Sequence, residues 1–490
     1  MAQLKISHKS AIILIASVLS LVAIVVLAMY LLGIKPSSET ASSHPFVTPR
    51  ASAPGKPELI KLEQVTDQAF GDEDTYVPNS WGAHKDRIIR TSKGDLFTTY
   101  TSQGDDQTDR VWHLMHKAPN KGWQEIQSGN AGTEPINIVL GKEDSIHLFA
   151  WPQTQGKLQH IYSTDNGATF KKEWIAGKWQ TGGEQGYSSV GVNDRGDIVI
   201  DQTGPDKPGI FNWAYFNADT NKWTFHSNTL DFRYTYAFLF PGYNNDLSFI
   251  ATRDVQRHYL NLPQPSDMSS TPWIFNEVKY FHIDDVTASQ PKLTQVLIKE
   301  VKPQDPNNAE DHDLVYVTDS YVDTAGRMHI LYLNEYDGLH QAIVEGGKIV
   351  KDVAMPNVDF GQKVRITQDT QGHFYLISMG AQGATLNVYP GSADDTDGTQ
   401  LAPVVKFDIS HFPGCEDYDF CHSPTFTVPR NGHQLSDTID GVYGNHNHEY
   451  YFRIDLRGNS TGAAKSMQMP FTSVLKAYSE EKKGTELRIH

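Results

Sequence analysis

Cysteine is nearly missing from this chain of 490 residues, with Cys415 and Cys421 the two that occur. So few thiols build neither a disulfide framework nor a thiolate metal site. One bridge closing a short loop suits an oxidising compartment, and two free thiols are the alternative reading. Positive charge is also scarce: 42 Lys and Arg stand against 58 Asp and Glu, for a net charge of −16. A surface that acidic has no basic stripe for phosphates, so nucleic acid is excluded as a partner. An acidic ligand held in a locally basic pocket is still allowed. No Gly-rich phosphate loop, Gly-x-Ser-x-Gly elbow or Cys-x-x-Cys pair occurs. Nucleotide, acyl-enzyme and thiol-redox chemistry therefore have no foothold, and no cofactor is expected. Long amphipathic helical patterns are absent too, while hydrophobic residues make up 39% of the chain, enough for a large β core.

The one long apolar run is 11–34, uncharged and rich in Ala, Ile, Leu and Val. Its length exceeds what about 30 Å of hydrocarbon requires, and it is too long for a cleaved signal peptide. Lys5 and Lys9 precede it, which favours a cytoplasmic N-terminus. The expected organisation is a cytoplasmic segment 1–10, a transmembrane signal anchor 11–34, a flexible Ser/Thr/Ala/Pro linker 35–57, a β domain 58–478 and a polar tail 479–490. The chain reads as a single-pass membrane protein with its β domain periplasmic or extracellular.

From Asp86 onward one pattern recurs: a β-rich run, a Gly/Asp turn and a second β-rich run, as in Arg87–Tyr100, Pro135–Trp151, Ser188–Ile200, Leu314–Leu333 and Lys363–Ser378. Measured at Asp95, Ser145, Asp197, Asp246, Met328, His373 and Asp440, the steps are 50, 52, 49, 82, 45 and 67. Periods near 50 with four short strands per repeat mark propeller blades. The fold class expected is all-β, a seven-bladed β-propeller (six-bladed as the alternative) behind one N-terminal transmembrane helix. The step of 82 suggests an insertion around Leu260–Pro306 in the fourth blade, placed to act as a flap. Glu58–Glu63 could close the ring by joining the sheet that ends at Tyr450–Leu456.

Polar residues just ahead of each inner strand should shape one mouth of the central funnel. His84, His312 and His422 recur there in three repeats, with Arg87, Arg233, Tyr234, Tyr236, Glu184, Tyr187, Asp311 and Asp313 beside them. His84, His312, His422, Tyr234 and Arg87 are the catalytic candidates, and the others ligand-binding candidates. Arg253 and His258 form a smaller candidate cluster. His446-Asn447-His448 reads as a hairpin tip, and no metal site is expected. Trp112, Trp123, Trp151, Trp213 and Trp223 read as packing between blades.

Tyr162-Ser163-Thr164-Asp165-Asn166-Gly167-Ala168-Thr169-Phe170 matches Ser-x-Asp-x-Gly-x-Thr-aromatic, the Asp box. On that motif and the blade rhythm over residues 80–456, the chain resembles the bacterial BNR-repeat, sialidase-like propellers. Arg87-Ile88 is similar to the first-blade Arg-Ile-Pro of sialidases, but Ile89 stands where Pro belongs. The resemblance implies carbohydrate or glycan as the partner. If the protein is an enzyme, it implies a polysaccharide lyase using His, Tyr and Arg, or a glycoside hydrolase. The alternative is a non-catalytic scaffold for a protein partner.

Overall fold

The computed structural model describes residues 53–69, 82, 84–105, 110–152, 156–181, 187–264, 272–308, 311–360, 363–381, 384–412, 422–444 and 447–458, all within one compact stretch, Pro49–His490. The expected anchor 11–34, Glu184, Cys415, Cys421, His446 and the tail 479–490 lie outside the described residues, as do the side chain of His422 and most of the linker. Among the described residues no helix is long and apolar enough to cross a membrane.

Strand β1 (Glu58–Thr66) is followed by β2 (Ile88–Arg90), β3 (Leu96–Ser102), β4 (Arg110–Lys117) and β5 (Gln124–Gly132), the last four forming blade 1. Blade 2 is β6 (Asn137–Leu140), β7 (Ile146–Ala150), β8 (Leu158–Ser163) and β9 (Lys171–Ile175), and blade 3 is β10 (Val190–Val192), β11 (Ile198–Thr203), β12 (Gly209–Asn217) and β13 (Lys222–Leu230). Blade 4 holds β14 (Tyr234–Pro241), β15 (Leu247–Gln256), β16 (Trp273–Ile283) and β17 (Leu293–Glu300), and blade 5 holds β18 (Val315–Val322), β19 (Met328–Asn334), β20 (Gly338–Glu345) and β21 (Lys348–Ala354). Blade 6 is β22 (Val364–Gln368), β23 (Phe374–Met379), β24 (Thr385–Pro390) and β25 (Val405–Asp408). The ring closes in blade 7, where β26 (His422–Phe426), β27 (Thr438–Gly444) and β28 (Glu449–Asp455) accept β1 as their outer strand, Leu62 facing Phe452.

The fold is thus an all-β propeller of seven four-stranded antiparallel blades. Each meets its neighbours through apolar side chains, and the seven core clusters fall one at each interface between blades. Inner strands such as Val364–Gln368 are therefore buried throughout, polar residues included, while outer strands such as Lys348–Ala354 lie largely exposed to solvent. Trp112 and Trp213 are fully buried in two of these interfaces.

The expected insertion at Leu260–Pro306 is corrected by the structure. That stretch contains β16 and β17, the third and fourth strands of blade 4, of 11 and 8 residues. A rhythm measured on inner hairpins counts a long outer hairpin as extra chain. Buried Arg257 ties the connections on either side of this hairpin together by donating to the carbonyls of Pro263, Pro306 and Asp311.

Candidate functional site in the upper mouth

Inner strands begin on what we term the upper face of the ring, and the inner hairpins turn on the lower face. Between the two, ion pairs join blades across the ring. Arg430, in the β26–β27 connection, reaches across the axis and donates two hydrogen bonds to Asp86 of blade 1, at 2.7 and 3.0 Å, and one to the carbonyl of Val190 in blade 3, at 3.3 Å. Its guanidinium lies 5.0 Å from the ring centre of Phe238 in blade 4. Arg365 of blade 6 pairs alongside with Asp319 of blade 5, at 3.2 Å. Above this floor lies the upper mouth.

His84 sits in it, 1% exposed, with neither ring nitrogen hydrogen-bonded among the described residues. Buried polar atoms without partners are rare and point to a function or a ligand. Its ring meets Tyr236 edge-on, centroids 5.1 Å apart, and packs against Gly82, where an added Cβ would come within 2.3 Å of Cε1. Burial first, then the nearby cations Lys85, Arg430, Lys363 and Arg365, hold its pKa well below the ordinary histidine value. The imidazole is therefore neutral, in cationic surroundings.

Tyr236 reaches His84 through a backbone irregularity. It has φ 54°, the one aromatic residue in the left-handed region among the described residues. The β14–β15 register slips between Thr235 and Phe238. A bulge of this kind re-aims a side chain. Tyr234 stays in the blade, its hydroxyl bonded to Glu277, whereas Tyr236 turns to His84, Phe275 and Tyr187. The hydroxyls of Tyr187 and Tyr236 share a hydrogen bond, and burial pushes both phenols up, so both stay protonated.

Three cations approach the mouth, and they differ in how firmly they are held. Arg233 is held by Asp254 at 2.9 Å and Asp206 at 3.3 Å. Lys85 lies 3.5 Å from Glu134 and 3.4 Å from Ser188 Oγ. Lys363 makes no salt bridge among the described residues; its ammonium sits 3.8 Å over the Tyr316 ring, and burial lowers its pKa to about 8 against the attraction of Asp313. Next to it, His312 bonds to Asp313 at 2.8 Å, and the His312 carbonyl accepts from the Phe275 amide.

The structure thus brings His84, Tyr187, Tyr236, Arg233, His312 and Asp313 to one mouth. It does not bring Arg87, which is buried between blades 1 and 7 on Glu449 at 3.2 Å. Arg253 pairs with Glu277 and Glu300 within blade 4, His258 is exposed beside Gln264, and Asp311 is engaged by Asn308. These are corrections with one cause: strand alternation and the bulge at Tyr236 send near neighbours in sequence to different environments. Lys85, Glu134 and Lys363 escaped the sequence reading, although Lys85 and Lys363 stand directly ahead of inner strands, where the polar-residue rule would have found them.

The fold has a solved counterpart. The chain is similar to the polysaccharide lyase Uly1. The match covers 81% of this chain and 100% of that one, at 12% identity and a TM-score of 0.50. Further matches are a Dyadobacter fermentans protein of unknown function (10% identity, 81% and 99% covered, TM-score 0.42) and the GH93 α-L-arabinofuranosidase of Fusarium graminearum in complex with arabinobiose (10% identity, 81% and 97% covered, TM-score 0.39). At these identities the likeness concerns the fold. No protein-family model and no curated protein matches the sequence.

Proposed function

We propose that the upper mouth binds an acidic glycan and cleaves it by β-elimination, in a domain held on the extracytoplasmic side by the 11–34 anchor. The observation that carries this reading is His84, a buried neutral imidazole without hydrogen-bond partners among the described residues, in contact with a protonated tyrosine and surrounded by cations. Elimination from a uronate needs those three properties together. The Lys363 ammonium neutralises the sugar carboxylate and so acidifies the C5 proton. His84 takes that proton, the electron pair forms the C4=C5 double bond, and the C4–O bond breaks. Tyr236 gives its hydroxyl proton to the leaving oxygen, with Tyr187 as its hydrogen-bond partner. Two things support the reading: the polysaccharide lyase named among the fold's counterparts, and the Asp-box turn that makes the chain resemble BNR-repeat propellers. In that turn Asp165 accepts from the Thr169 amide and hydroxyl.

The test is a panel of uronate polymers given to the full chain, following the ultraviolet absorbance of the unsaturated product. His84→Gln and Tyr236→Phe should each lower the rate by about a hundred-fold or more. Binding without absorbance would leave glycan recognition and remove elimination. No binding of any glycan would leave the protein-interaction scaffold.

A further inference from the structure

The lower face carries a second feature, a cavity of about 1810 Å³ spanning the turns of blades 7, 1, 2 and 3. The Arg430–Asp86 pair stands between it and the upper mouth. One wall is the cleft where blade 7 meets blade 1. Strand register places Asp440 of β27, Arg453 of β28 and Lys61 of β1 side by side in one row across blade 7. Blade 1 faces this row with Arg90 and Lys117.

The charges on this wall do not cancel. Asp440 is shared by two cations, Arg90 and Arg453, the second at 2.7 Å. Glu63 is likewise shared by Lys61 at 3.1 Å and Lys117 at 3.0 Å. Two carboxylates serving four cations leave an excess of two positive charges, on a chain whose net charge is −16. Of the other charges on this wall, Arg457 pairs with Asp437 at 3.4 Å and Asp455 is matched by Lys121, so they leave the excess unchanged. Across the cavity stand Glu143 and Asp194, while Asp144 is engaged by the Ser92 amide at 3.1 Å. An anion entering the cavity is repelled from that side and drawn to the other. Asp440 is fully buried, and Arg90 and Lys117 are mostly so, whereas the side chains of Arg453 and Lys61 are 33% and 50% exposed and present the charge to solvent.

We propose that this wall is a second binding site, independent of the upper mouth, which takes a linear glycan bearing carboxylate or sulfate groups along Arg90, Arg453, Lys61 and Lys117. A linear ligand fits better than a single small ion because the cations are spread over two blades, Arg90 and Lys117 on blade 1 and Arg453 and Lys61 on adjacent strands of blade 7, about 4.8 Å apart. That spacing is close to the repeat of a sugar chain. The concavity of the site excludes a flat lipid surface. The inference does not depend on chemistry in the mouth; it needs only that the wall be open to solvent.

The test is titration calorimetry on the full chain with a sulfated and a carboxylated oligosaccharide, alongside the desulfated and carboxyl-reduced counterparts. The acidic ligands should bind, more weakly as salt is raised, and the neutral counterparts should not. Reversing the charges with K61E and K117E should weaken binding by about ten-fold or more. Lys363→Met, which removes the cation that the mouth offers a carboxylate, should leave binding at this wall unchanged. Lys61 is exposed, so K61E alone keeps the test valid if the double variant fails to fold. Equal affinity in K61E and the wild type would overturn the proposal. So would loss of all acidic-glycan binding on Lys363→Met, since that would place it in the mouth.

Discussion

At the residue scale, the centre of the molecule depends on one ion pair. Arg430 and Asp86 are both buried, and Asp86 is held by opposed effects: burial raises its pKa, and Arg430 and Arg365 lower it. Removing one partner of a buried pair strands the other charge and costs roughly 3–5 kcal/mol. Arg430→Met should therefore lower stability by that amount, measured as the shift of the urea midpoint at constant slope. The double variant Arg430→Met, Asp86→Leu should recover most of the loss, because an apolar pair of similar volume needs no hydration. A single variant within about 1 kcal/mol of the wild type would show that water reaches the axis. This arginine was invisible as an axial residue in the sequence, where it lies in an ordinary turn, Pro429-Arg430-Asn431.

At the element scale, the hairpins show how turn chemistry and neighbouring blades compete. The β6–β7 turn places Glu143 at φ 56° and Asp144 at φ 61°, both in the left-handed region. Asp144 has a reason to be there, since its carboxylate accepts from the amide of Ser92 in blade 1. Glu143 is exposed and has none. Glu143→Asn should stabilise the protein by about 0.5–1 kcal/mol, since Asn tolerates this conformation better. It should appear as a higher melting temperature, and an unchanged or lower one would mean that Glu143 makes a contact worth more than its strain. The same competition explains why the repeat was legible at Arg87–Tyr100 and Leu314–Leu333, where turn and strands agree. It also explains why blade 4 was misjudged, where β15 and β16 are long and no tight turn joins them.

At the scale of the whole molecule, acid should unfold the ring. His84, His147, His160 and His433 are buried, and burial depresses each of their pKa values, that of His433 to about 3. His147 and His160 are stacked and hydrogen-bonded to each other in blade 2 at 2.8 Å, leaving no room for two charges. A histidine whose folded pKa lies below its unfolded value contributes stability that is present above about pH 6.5 and is lost as the pH falls. Each such group changes stability by about 1.4 kcal/mol per pH unit inside its window. Asp201 acts in the opposite sense. Burial raises its pKa to about 7, so it costs stability as pH rises from the ordinary aspartate range to 7. Asp86 and Asp319, raised by burial, act with Asp201. His226, depressed by burial, and the carboxylates of Asp323 and Asp440, held below their ordinary value, act with the four histidines, so the balance is a net loss on acidification. Urea titrations from pH 7 to pH 4 should show stability falling steeply below pH 6.5, and a flat profile would count against neutral buried histidines.

What the amino-acid sequence determined by itself is the repeat: short strands, Gly and Asp turns and apolar inner runs are local consequences of backbone preference and alternation, and they are enough to specify blades. Closure by Glu58–Glu63 was also legible, because an unpaired outer strand in the last blade needs a partner. Which residues share the mouth was decided only in three dimensions. His84, Tyr187, Tyr236 and Lys363 come from four different blades, and their meeting depends on the angle at which seven sheets close around Arg430. The cationic row on the lower face is of the same kind. Lys61 and Arg453 are neighbours because of the register in which the first strand pairs with the last, and that register, unlike the pairing itself, is not encoded by a local pattern in either segment.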